Sequence, residues 1–163
     1  MKSALFIGRF QPFHNGHLHV IKNILKEFDR VIIVIGSAQA KDEEKNPLSG
    51  VKREELILKS LKESKISSEK IIIKKIDDIN DYSLWASMIK ESVPPFQKLF
   101  TGSDIVRNCF LGKFGGPKIL EKNDIIKLER IENISASKIR QLIKEGKKWK
   151  HLVPKAIAEK INL

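Results

Sequence analysis

The 163-residue sequence contains one cysteine, Cys109. A single thiol cannot close an internal disulfide, so a cross-linked scaffold is excluded, and the apolar neighbours of Cys109 read as packing for a buried thiol rather than a setting for a nucleophile. No apolar run is long enough to cross a bilayer, and no charged leader separates Met1 from strand-like sequence. Export and membrane insertion are therefore not expected, and the cytoplasm is the default location. Internal repeats, low-complexity tracts and a convincing linker are also missing, so residues 1–163 are expected to form one domain, with a helical segment at about 135–163 packed on it. Acidic residues are outnumbered, 20 against 31 Lys+Arg, for a net charge of +11. The lysines are spread along the chain among Glu and Asp, without an aromatic-rich basic stripe. A solvated lysine-rich surface is the better reading, and no nucleic-acid partner is expected. The excess charge would still attract small polyanions.

What is present is an alternation of apolar Ile- and Val-rich runs with segments of helical period. Strands are expected at Ser3–Gly8, Arg30–Gly36, Lys70–Ile76, Lys98–Thr101 and Asp124–Glu129. Helices are expected at Gly16–Phe28, Val51–Glu63, Tyr82–Ser92, Asp104–Phe114, Ser137–Glu145 and Lys155–Ile161. Such alternation implies an α/β fold: a Rossmann-like, doubly wound parallel sheet of about five strands with helices on both faces. Ligands in such folds sit beyond the carboxyl ends of the strands, where the strand order reverses. The stretch Gly112–Lys118, with three glycines and Pro117, reads as a flexible surface turn.

The first strand runs into GRFQPFHNGH, Gly8 to His17. Gly8 offers backbone angles closed to other residues, Pro12 stiffens the loop, and Gly16 lets a ligand approach the backbone. Leu18, Ile21, Leu25 and Phe28 then recur at helical spacing, so the free amides of a helix start point into the loop and suit an anion. Arg9 adds a fixed charge, and His14 and His17 add two imidazoles three residues apart. A plain tight turn has some of these features too, and paired histidines can ligate a metal. No Cys or Glu-rich cluster stands nearby to complete a metal site, so no protein-held metal is expected. A second anion site is read at the far end, where Ile134-Ser135-Ala136-Ser137 opens a helix carrying Arg140. One serine is accounted for by capping alone, but two hydroxyls, free amides and a guanidinium together suit phosphates.

Polar residues also follow the inner strands. Gly36-Ser37-Ala38-Gln39 is small and neutral, letting a ligand near the backbone, with an amide that suits a carboxamide or a base edge; an ordinary turn has the same composition. Lys45 and Arg53, in the charged segment beyond, could reach a triphosphate, although most charges in such a loop face water. Asp78, Ile79 and Trp85 follow the third strand, where a tryptophan near a helix start is more often core than ligand platform. Gly102 and Ser103 open the helix after the fourth strand.

GRFQPFHNGH resembles the signature of nucleotidyltransferases with an H-x-G-H element, with His14, Gly16 and His17 at its defining positions, and its full form is similar to the archaeal-type nicotinamide-nucleotide adenylyltransferases. ISASKIR is similar to the superfamily's second signature, which binds ATP phosphates, although the archaeal-type form more often reads SGT before its arginine. The resemblance implies ATP contacts from Gly8, Arg9, Phe10, His14, Gly16, His17, Ile134, Ser135, Ser137 and Arg140. For the nicotinamide mononucleotide (NMN) acceptor it implies Phe13, Ser37, Ala38, Gln39, Asp78, Ile79, Trp85 and Gly102. The family often has an arginine near Lys45, where a lysine supplies charge without the bidentate fork, and usually an asparagine where Ser103 stands. The resemblance also implies a homo-oligomer, a hexamer being one form.

The chemistry expected is attack of a nucleotide phosphate on the α-phosphorus of ATP, releasing pyrophosphate. A phosphate monoester, with a second pKa of about 6, is largely ionised at neutral pH and needs no general base. This fits a sequence with no obvious catalytic carboxylate or nucleophile. Charge stabilisation falls to His14, His17, Arg9, Arg140 and Lys45, with Mg²⁺ held mainly by ATP and water. Two alternatives stay open: transfer to another acceptor, such as pantetheine phosphate, flavin mononucleotide or a polyol phosphate, and a non-catalytic nucleotide- or RNA-binding module.

Overall fold

In the computed structural model, which describes residues 1–131 and 133–161, five parallel strands form one sheet in the order β3-β2-β1-β4-β5. They are β1 (Ser3–Gly8), β2 (Arg30–Ile35), β3 (Ile71–Lys75), β4 (Lys98–Thr101) and β5 (Ile125–Lys127). The helices between and after them are α1 (Asn15–Glu27), α2 (Gly50–Glu63), α3 (Tyr82–Ser92), α4 (Asp104–Phe110), α5 (Ala136–Lys144) and α6 (Lys155–Ala158). Every expected element is present; α1, α2 and α5 start one residue earlier than expected, and several elements end earlier. Asp104–Phe114 stops at Phe110 because the chain enters the left-handed region at Gly112, φ 72°. Arg30–Gly36, Lys70–Ile76 and Asp124–Glu129 end earlier than expected, although the ladder continues in single bonds such as Gly36 N–H to Gly8 C=O at 3.0 Å.

The period of two along the central strands splits the core. Ala4, Phe6, Val31, Ile33 and Ile35 face α1, α2, α5 and the C-terminal segment. Leu5, Ile7, Ile32 and Val34 face α3 and α4. Most of these side chains are fully buried, which is why β1 and β2 read as continuous apolar runs. The C-terminal segment joins the first layer through Ile139, Leu152, Val153, Ile157 and Ile161, and the Ala156 amide donates to Glu63 in α2 at 3.0 Å. Residues 162 and 163 of the expected 135–163 segment lie outside the described residues. No helix among the described residues is long and apolar enough to cross a membrane.

The layout fixes the place of a ligand. The chain leaves β1 toward β2 on one side and returns from β3 to β4 on the other, so the β1/β4 pair is the reversal point. The loop after β1 opens onto that crevice.

Candidate functional site

The histidines after β1 hold each other. His14 is the N-cap of α1, and its Nδ1 accepts from the His17 amide at 3.3 Å, while the His14 amide donates to His17 Nδ1 at 3.2 Å. This is the reciprocal capping arrangement, built from two imidazoles. Their rings stack with centroids 3.6 Å apart and planes 18° from parallel. Because each Nδ1 accepts a backbone proton, each neutral ring carries its own proton on Nε2 and offers that N–H to a ligand. Burial brings the His14 pKa down to about 4. Burial, then the neighbouring His14, holds His17 well below its ordinary value. Both rings are therefore uncharged donors at neutral pH.

Beneath the pair lie Phe6, Phe10 and Phe13, each at most 2% exposed. Phe13 stacks on His17 at 5.5 Å and Phe10 meets it edge-on at 4.8 Å. The glycines of the loop make this packing possible. A Cβ on Gly16 would lie 3.0 Å from Cε1 and Nδ1 of His14, and one on Gly8 would lie 2.9 Å from the Phe10 ring. Space is thus what Gly8 supplies; the left-handed angle falls on Phe10, φ 53°. At Gly16 a side chain would meet the His14 ring.

The far end of the chain closes on this loop. Arg140 in α5 donates to the Gln11 carbonyl at 2.7 Å across 129 residues of sequence. Ser135 caps this nine-residue helix, accepting from the Lys138 amide at 3.2 Å, and the starts of α5 and α1 line one cavity. Burial, then the charge of Arg9, lowers the Arg140 pKa, yet a guanidinium stays charged at any working pH. Two cations side by side, next to two helix N-termini and two imidazole donors, describe a polyanion site.

These groups line one cavity of about 800 Å³, enough for a bound nucleotide pair. All ten residues expected to touch ATP line it: Gly8, Arg9, Phe10, His14, Gly16, His17, Ile134, Ser135, Ser137 and Arg140. Of the acceptor set, Ser37, Asp78, Ile79, Trp85 and Gly102 line it as well. Trp85 serves both readings, since it is 9% exposed, packs edge-on against Phe110 and still reaches the cavity wall.

Other expected site residues lie outside the cavity lining. Phe13 sits in the core under His17 and does not line the cavity. Gln39 is turned to Asp78, its Oε1 accepting from the Asp78 amide at 3.0 Å, and with Ala38 it lies outside the lining. Lys45 is exposed in the loop before α2 and is not part of the wall. Arg53 is 1% exposed, with its guanidinium spent on backbone carbonyls, so it cannot reach a triphosphate. The glycine stretch after α4 is a surface turn, but a packed one. A Cβ on Gly116 would lie 1.8 Å from the Ser83 carbonyl oxygen, and Phe114 rests on Tyr82 with ring centroids 5.2 Å apart.

Other wall residues went unread. Asp81, the N-cap of α3, lines the acceptor side, and its carboxyl is held below the ordinary value by the Ser83 hydroxyl and amide. Glu129, Arg130 and Ile131 line the opposite side. Ending β5 at Lys127 rather than Glu129 would have exposed the latter group, because polar residues just past a strand fall at the carboxyl edge. Ser103 lines the cavity and caps α4, accepting from the Val106 amide at 3.3 Å.

Residues 5–142 match the cytidylyltransferase-like family. The chain is 36% identical over 162 residues to the nicotinamide-nucleotide adenylyltransferase of Thermococcus kodakarensis, covering 99% of this chain and 83% of that one. It is 37% identical over 163 residues to the enzyme of the same name from Pyrococcus furiosus, covering 99% and 84%. The chain belongs to the nicotinamide-nucleotide adenylyltransferase family. Among solved structures it is similar to a bifunctional NMN adenylyltransferase/ADP-ribose pyrophosphatase from Francisella tularensis, complexed with AMP and a manganese ion. That likeness has a TM-score of 0.72 at 26% identity, and covers 93% of this chain but 44% of the bifunctional one. The fold is thus shared with a solved NMN adenylyltransferase structure. The matched region, 5–142, spans both anion-binding helix starts, from the end of β1 to Arg140 in α5.

Proposed function

We propose that residues 1–163 act as one nucleotidyltransferase domain that joins the AMP moiety of ATP to NMN, giving NAD and pyrophosphate. The observation that carries this reading is the convergence of two anion-binding helix starts, at His14–His17 and at Ser135–Arg140, on one cavity whose other end is walled by Asp78 and Trp85. The triphosphate lies between the helix starts, with the nicotinamide nucleotide toward Trp85, whose aromatic face suits a flat cationic ring.

An oxygen of the NMN phosphate attacks the α-phosphorus, the bond from that phosphorus to the β-phosphate bridging oxygen breaks, and pyrophosphate leaves. The attacking dianion needs no base. The Nε2–H groups of His14 and His17 donate to phosphate oxygens, and Arg9 and Arg140 balance charge on the departing pyrophosphate, so catalysis is positioning plus charge stabilisation. Among the described residues no group of three or more His, Cys, Asp or Glu side chains is placed to hold a metal. In this reading a divalent ion, Mg²⁺, would be held mainly by ATP and water and would supply charge stabilisation. The proposal includes a cytoplasmic homo-oligomer.

Purified protein incubated with ATP, Mg²⁺ and NMN should yield NAD and pyrophosphate in equal amounts. Product with pantetheine phosphate or flavin mononucleotide but none with NMN would reassign the acceptor, and nucleotide binding without any transfer would leave a binding module.

A further inference from the structure

Arg53 is among the largest fully buried side chains of the protein, and it has no part in the chemistry just described. Its guanidinium has five N–H donors, and five backbone carbonyls accept them. Nη1 donates to Arg9 at 3.0 Å and to Gly36 at 2.8 Å. Nη2 donates to Ser37 at 2.8 Å and to Ala40 at 3.4 Å. Nε donates to Ser49, at the start of its own helix, at 3.3 Å.

These carbonyls belong to different parts of the site. Arg9 is on the loop that holds the triphosphate, whereas Gly36 and Ser37 wall the cavity beyond β2. The backbone at these places is also unusual. Phe10, next to the clasped Arg9 carbonyl, has φ 53°, and Ser37 has φ 46°. Non-glycine residues persist in the left-handed region only where their surroundings over-determine them. The planar fork of Arg53, tied to both loops, supplies that constraint. A lysine has three donors on one point charge and cannot reproduce it.

Taking the adenylyl-transfer reading as its basis, we infer that Arg53 is a positioning residue: it sets the triphosphate loop and the loop after β2 at a fixed separation, so that the attacking phosphate meets the α-phosphorus in line. Arg53 is 1% exposed and does not line the cavity, so the residues that face the substrates are unchanged when Arg53 is replaced. Only the alignment is lost. A displacement of about 1 Å between reacting groups can cost about 10²-fold in rate, and this loss falls on turnover rather than on binding.

The test is steady-state kinetics of R53K and R53Q with both substrates varied, each rate divided by the folded fraction from near-ultraviolet circular dichroism. The expected result is a kcat at least tenfold below wild type per folded molecule, with KM for ATP and for NMN each within about threefold. A kcat per folded molecule within threefold of wild type overturns the inference, as does a loss confined to the folded fraction or to the KM of one substrate. Wild-type protein in the same assay separates the two claims. If it forms no NAD the adenylyl-transfer reading fails, whereas NAD formation by wild type and by both variants alike removes Arg53 alone.

Discussion

Gly16→Ala separates stability from catalysis more sharply than any other change in this fold. Gly16 lies in the first turn of α1, where replacing glycine by alanine ordinarily stabilises a helix by about 0.5–1 kcal/mol. Here the added Cβ would stand 3.0 Å from two atoms of the His14 ring. That ring is held by the His17 amide and by a stack at 3.6 Å, so it can move only by breaking the reciprocal cap. Loss of an N-cap costs about 1 kcal/mol, up to about 2. The helix gain offsets part of the cap loss, leaving at most about 1.5 kcal/mol of destabilisation, or about 3–6 °C in Tm for a chain of this size. Catalysis has no such compensation. The His14 and His17 Nε2–H donors are rotated off the phosphate, and removing one such donor typically costs about 10²–10³-fold. The expected outcome is a kcat/KM about 10²-fold lower with Tm within about 6 °C of wild type, measured by coupled reduction of the NAD formed and by thermal melting. Activity within threefold of wild type would refute the account of the two histidines as aligned donors.

Three further outcomes follow from the same geometry. In the pH window from about 6.5 down to about 4, the unfolded His14 imidazole takes up a proton that the folded one resists, so folding stability falls as pH falls, by up to roughly 3 kcal/mol from this group. His14→Asn, whose amide oxygen can still cap α1, should flatten that slope, and identical urea-unfolding profiles for the two proteins between these pH values would contradict the assignment. Gln11→Ala removes the 2.7 and 2.9 Å bonds to the Leu48 carbonyl and amide; two backbone groups left buried and unpaired cost about 2–4 kcal/mol, visible as a Tm lower by about 5–15 °C. Arg140→Lys keeps the charge and loses the fork that reaches Gln11, and kcat/KM should fall about tenfold to 10²-fold with little change in Tm.

The architecture was legible because the strands announce themselves. Arg30 to Ile35 is apolar after its first residue and is covered on both faces, so its run in sequence is the direct image of its burial. The two helix starts were legible because histidine and serine there serve as caps, and both starts line one cavity. What stayed hidden depends on contacts between distant segments. Arg53 looks like any charged residue in a lysine-rich helix until five carbonyls from two loops surround it. Phe13 resembles its loop neighbours, and only the stack on His17 shows that it faces inward. Gln39 reads as a ligand amide until Asp78 is found within hydrogen-bond reach of it. Lys45 follows the family's charge in sequence, but the segment between β2 and α2 carries it away from the cavity wall.

The central claim is direct transfer in one step between two nucleotides held side by side, with no protein nucleophile. Stereochemistry at the α-phosphorus reads this directly. ATP made chiral at that centre by sulfur substitution should give NAD with inverted configuration, the result of a single in-line displacement. Retention would mean two displacements through a covalent adenylyl-protein, and would contradict the mechanism drawn from this site.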